Sequence, residues 1–110
     1  MAGKDYLGEF EHLVVLAVLR GGECSYGVTV LREIEKRTGR EVSIGAIYAT
    51  LDRLETKGYV KSRFGDPTPE RGGRAKRFFK VTAKGLAAVN RTQLAIRRMA
   101  EGLEVIRNYA

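Results

Sequence analysis

The sequence predicts a mostly α fold with a small antiparallel β-hairpin (α+β). Three observations predict it. Apolar residues recur at helical spacing in four separate segments, two short segments alternate between glycine- and proline-rich turns, and the last segment repeats apolar residues every seven positions. With 110 residues, 44% of them hydrophobic and 30% charged, the chain has the size and composition of one small globular core. A second catalytic lobe has no room.

The first helix is expected over Leu7 to Arg20, and it is apolar on almost every side. Such a helix must be covered on more than one face, so one face should meet a partner subunit. Gly21 and Gly22 stop it. Ser25 is the expected cap of a second helix that runs to Thr38, where Gly39 ends it. Arg40, Glu41 and Val42 form an extended link that could pair with the hairpin as a third strand.

Ser43 caps the third helix, in which Ile44, Ile47, Tyr48, Leu51 and Leu54 gather on one arc as core. The opposite arc carries Ala46, Ala49, Thr50, Arg53 and Lys57, with Ser43 and Gly45 at its N-terminal end. Glu55 lies near the edge of the apolar arc and calls for an ion pair. After Gly58, Tyr59 to Phe64 and Lys76 to Val81 alternate as two strands around a loop that holds Arg71, Gly72, Gly73 and Arg74. Thr82 caps a last helix expected to reach the C-terminus, about 40 Å long at ~1.5 Å per residue. Val89, Ile96 and Leu103 lie seven apart on it, as do Met99 and Ile106. That seam, together with Phe10, Leu13 and Val14 of the first helix, is the expected dimer contact.

Charge is concentrated on one element. Residues 1–35 hold three basic against six acidic side chains, whereas residues 61–84 hold eight basic against two acidic. A helix followed by a basic hairpin is the layout of a winged helix-turn-helix, here with a long C-terminal dimerisation helix, and the charge marks a polyanion partner. Small residues at the start of the third helix let it approach base edges in a major groove about 12 Å wide. Ser43 and Thr50 can bond to bases or phosphates, and Arg53 and Lys57 can reach guanine or phosphate. Arginines on a glycine-rich tip suit phosphates or a narrow minor groove. A winged helix that binds protein or structured RNA is the alternative of a different class.

Catalysis is not expected. His12 is the only histidine and sits within an apolar helical pattern, no metal-ligand spacing occurs, and no glycine-rich phosphate loop follows a strand. Cys24, the only cysteine, precludes an internal disulfide, points to a reducing cytosol and reads as a small, partly buried residue. No signal peptide is apparent, and the run Leu13 to Leu19 is too short to span a membrane.

The segments LGEFEHLVVLAVL, YGVTVLREIEKRTG, VSIGAIYATLDRLETKGYV and PERGGRAKRFFKVTAKG, with the trailing helix, resemble a PadR-family transcriptional regulator of the short form. The resemblance covers nearly the whole chain. It implies a bacterial, cytoplasmic, nucleoid-associated homodimeric repressor, divided into a winged-helix DNA-binding domain (1–81) and a dimerisation helix (82–110). It implies a palindromic double-stranded DNA operator, with the third helix (43–57) in the major groove and the wing (61–80) at the flanking minor groove. Carried over, the DNA-facing residues are Ser43, Gly45, Ala46, Tyr48, Ala49 and Arg53 on the helix, and Arg71, Arg74, Lys76 and Arg77 on the wing. The helical wheel turns Tyr48 to the core, while the family uses a tyrosine there to touch phosphate. Both hold if the ring is buried and the hydroxyl exposed. Some members bind flat aromatic drugs between paired tryptophans, and this chain has no Trp, so any small-molecule effector is unknown.

Overall fold

The computed structural model describes residues 6–65 and 76–107. In chain order they form α1 (Glu9–Gly21), a 3-10 turn (Gly22–Cys24), α2 (Gly27–Thr38), α3 (Ile44–Thr56), β1 (Val60–Phe64), β2 (Arg77–Val81), α4 (Ala83–Ala100) and a single turn α5 (Glu104–Arg107). β1 and β2 pair antiparallel, Val60 opposite Val81 and Phe64 opposite Arg77. The winged helix-turn-helix architecture is as expected.

One core joins all of these elements except the 3-10 turn and α5. Val14, Val15 and Val18 of α1, Val30 and Ile34 of α2, and Ile47, Leu51 and Leu54 of α3 are buried against Val60, Phe79 and, from α4, Ala88 and Val89. The first half of α4 is therefore part of the core. Gly85 lets α4 cross the start of the hairpin, since a Cβ there would stand 2.2 Å from the Tyr59 carbonyl oxygen. The Leu7 N–H donates to Thr92 Oγ1 at 2.9 Å and straps the N-terminal segment to α4.

Several local expectations are corrected. Ser25 does not cap α2, whose N-cap is Tyr26. Ser25 is fully buried, its hydroxyl donates to the Val18 carbonyl at 2.7 Å, and its own carbonyl accepts from Phe79 N–H at 2.8 Å. That bond draws Tyr26 alongside the hairpin as a bridge to Phe78, so the third rung comes from here and not from residues 40–42. In the 40–42 link two donors are used by side chains of α2: Arg40 N–H bonds to Thr38 Oγ1 and Val42 N–H to Glu35 Oε2. Cys24 is exposed on the 3-10 turn, not partly buried.

The last helix is shorter than expected. It stops at Ala100, and Gly102 adopts φ 81°, a left-handed conformation that interrupts the helix before α5. Val14 and Val89 are buried within this chain and do not form a dimer contact, while Phe10 and Leu13 pack half-buried against the same core. Ile96, Met99, Leu103 and Ile106 remain exposed, Met99 by 81% and Ile96 by 59%.

Candidate nucleic-acid interface

The outer face of α3 is set by its cap and its core anchors. Ser43 Oγ accepts from Ala46 N–H at 3.1 Å and fixes the first turn, while Ile47, Leu51 and Leu54 seat the helix. Ser43, Gly45, Ala46, Ala49, Arg53 and Lys57 are exposed as expected. Two positions exchange places. Ile44 is 42% exposed, while Thr50 is only 2% exposed and turns inward, where its hydroxyl accepts from Arg53 Nη2 at 3.2 Å. Thr50 therefore cannot meet a ligand on the outer face.

Tyr48 is half-buried and stacks across the first turn of α2. A Cβ on Gly27 would lie 2.4 Å from Cζ of its ring and 2.5 Å from its hydroxyl, so the glycine is what admits the ring. Asp52, not singled out from the sequence, is exposed on the outer face of α3 and accepts from Arg77 Nη1 at 3.0 Å.

Arg77 is the largest reassignment on the hairpin. Besides Asp52 it pairs with Glu55 through Nη2, donates to Ser62 Oγ at 3.2 Å and lies over the Phe79 ring. Glu55 also accepts from the Ser62 N–H and hydroxyl. The Ser62 hydroxyl bond, aided by Arg77 against partial burial, holds the Glu55 carboxyl below its ordinary pKa. Burial works against the Arg77 charge, but the two carboxylates outweigh it and raise its pKa. Arg77 thus clamps hairpin to helix, and this cluster supplies the ion pair that Glu55 calls for.

Lys76 is likewise held, with Nζ 4.4 Å from the centre of the Tyr26 ring and 3.3 Å from its hydroxyl. Arg63, which sequence reasoning left out, lies over the Phe78 ring and bonds to the Glu23 carbonyl. Arg71 and Arg74 lie outside the described residues. Glu11 was also missed. Its Oε2 accepts from Lys57 Nζ at 3.0 Å and stands 3.8 Å from Arg53 Nε. Burial pushes this carboxyl up, but the bonds from Lys57 and the Gly8 N–H, with the charge of Arg53, bring its pKa below the ordinary value. An acidic residue in a helix's first turn reads from sequence as a dipole partner, which hides its reach across to α3.

Among the described residues no group of three or more His, Cys, Asp or Glu could hold a metal ion, and no helix is long and apolar enough to cross a membrane. The family model described as "Transcriptional regulator PadR-like family" matches residues 15–91, from α1 through the hairpin into α4. The chain belongs to the PadR-like family. It is a DNA-binding transcriptional regulator and not an enzyme. Among curated proteins, none matches this PadR-like chain.

Solved structures share its fold. A PadR family transcription regulator from Clostridium difficile R20291 superposes with a TM-score of 0.71 at 19% identity, covering 93% of this chain and 98% of that one. A PadR-like transcriptional regulator from Bacillus cereus gives 0.69 at 16% identity, covering 88% and 89%. A putative transcriptional regulator from Thermoplasma acidophilum gives 0.68 at 17% identity, covering 90% and 94%. The fold is thus not confined to bacteria.

Proposed function

We propose that this PadR-like regulator is a homodimeric repressor of a palindromic operator, with α3 in the major groove and the hairpin at the flanking minor groove. Residues 1–81 bind DNA and residues 82–110 hold two copies together, in the cytoplasm at the nucleoid. The observation that carries the reading is the Arg77 clamp. It ties the hairpin to the outer-face residue Asp52 and to Glu55, so helix and wing present one surface at a fixed angle. On that surface Gly45, Ala46 and Ala49 permit close approach to base edges, and Ser43, Arg53 and Lys57 supply donors. Arg71 and Arg74, between β1 and β2 in sequence, add phosphate affinity. The exposed Ile96, Met99, Leu103 and Ile106 support pairing of two copies, because apolar residues this exposed in one region mark a contact surface.

Binding to duplex DNA should weaken steeply with salt. A dimer that neutralises about six to eight phosphates gives a slope of log K against log[salt] near −5 to −7. Arg71→Ala and Arg74→Ala should each weaken binding to all sequences alike and flatten that slope by about one unit for each phosphate left without its arginine. Salt-independent binding would refute the reading, and wing variants that bind normally would remove the wing from it.

A further inference from the structure

Arg53 is anchored from behind on two sides. Its Nε faces Glu11 Oε2 at 3.8 Å and its Nη2 donates to Thr50 Oγ1 at 3.2 Å. Neither anchor lies on the outer face: the Glu11 side chain is 12% exposed and Thr50 is buried. Glu11 is itself fixed, since Oε1 accepts from the Gly8 N–H at 3.2 Å while Oε2 holds Lys57. A carboxylate on the first turn of α1 and a hydroxyl on α3 thus both face the Arg53 guanidinium.

This matters because an arginine free on a helix surface meets whichever phosphate is nearest, whatever the sequence. A guanidinium held in one orientation has less freedom to lose and offers its remaining donors in one geometry. Such a fork matches guanine O6 and N7 in the major groove. The arrangement has the logic of a supported ligand, in which a buried partner orients the group that makes contact.

We propose that Glu11, with Thr50, is a positioning residue for sequence reading, which holds the Arg53 guanidinium so that its outer edge selects guanine at one position of each half-site. The proposal rests on α3 being the DNA-reading helix. Lys57, drawn to the same carboxylate, stays beside Arg53 and adds phosphate affinity without selecting a base.

The test uses the full chain, a duplex that it selects from a random pool, and a scrambled duplex of equal length at the same salt. Arg53→Ala should lower the preference for the selected over the scrambled duplex about 10-fold, the usual worth of one such contact. Glu11→Gln, which leaves Arg53 in place, should lower it by several-fold and leave binding to the scrambled duplex unchanged or slightly tighter. In the Arg53→Ala background, Glu11→Gln should change the preference no further. The selected motif of Glu11→Gln should show a weakened guanine at the position that Arg53→Ala loses.

If Glu11→Gln scales both affinities equally while Arg53→Ala alters the preference, Glu11 is only a fold residue or a competitor for cations. The proposal then fails and the reading of α3 stands. If Arg53→Ala leaves the preference unchanged, reading at this position fails and the proposal falls with it. Thermal melting accompanies each variant. Should Glu11→Gln not fold, Thr50→Val removes the second anchor at nearly constant volume, and an unchanged preference in that variant overturns the proposal.

Discussion

Helices α3 and α4 each carry an apolar arc, and α3 covers all of its arc but Ile44 within the chain, whereas α4 covers only the first part of its own. Ile47, Leu51 and Leu54 are fully buried, and the helix is pinned on one side by Glu11 and on the other by Arg77. α4 buries Gly85, Ala88, Val89 and Thr92, and then its apolar residues emerge at Ile96 and Met99 and continue through Leu103 and Ile106 beyond the break at Gly102. The helix-turn-helix part of the molecule is therefore complete alone, and the end of α4 is not. α3 is positioned by its own chain, and in the proposed dimer the spacing between two copies of it is left to the exposed end of α4.

Substitutions should separate the two regions. Leu51→Ala opens the core beneath α3 and should cost about 2–5 kcal/mol of stability, the same at every protein concentration, as read by denaturant unfolding. The double change Ile96→Glu and Met99→Glu should barely disturb a single folded chain. It should abolish pairing in sedimentation and weaken operator binding by about 100-fold, the low end of what joining two half-site contacts supplies. If that variant remained paired, the exposed seam would lose its role.

The smallest effect concerns pH. Burial lowers the His12 pKa, and its Nε2 is buried with no hydrogen-bond partner among the described residues. The folded chain thus prefers the neutral ring and the unfolded chain binds the proton more readily. Stability should fall as pH drops through the ordinary histidine value of about 6.5. His12→Leu should remove that slope in melting experiments between pH 8 and 5.5. An identical slope would place the proton elsewhere.

The large features of the fold were legible because they rest on periodicity. Ile47, Leu51 and Leu54 repeat at helical spacing, and Ser43 has the chemistry of a cap. The flanks of α3 were not legible. Ile44 and Thr50 lie about 60° to either side of Ile47 on a helical wheel. Apolarity favours Ile44 for the interior, yet the Thr50 side is the one near the Glu11 partners Arg53 and Lys57, so Thr50 is buried and Ile44 is left outside. Which flank is covered depends on a residue dozens of positions away.

The same limit applies to charge. A count of cations on the hairpin cannot show that Arg77 is used internally against Asp52 and Glu55. A basic residue that faces two carboxylates across the fold looks, in sequence, like any other basic residue on a wing. The helix break was visible in principle, since Gly102 is a stop signal, but the heptad spacing across it argued for continuity.

Selection of bound fragments from a random duplex pool, followed by footprinting of the enriched sequence, measures whether two copies of α3 read DNA together. Two copies of α3 held at a fixed distance predict two inverted half-sites with centres about one helical turn, or roughly 10–10.5 base pairs, apart. A single unrepeated protected site, or a pool that enriches no sequence, would contradict it.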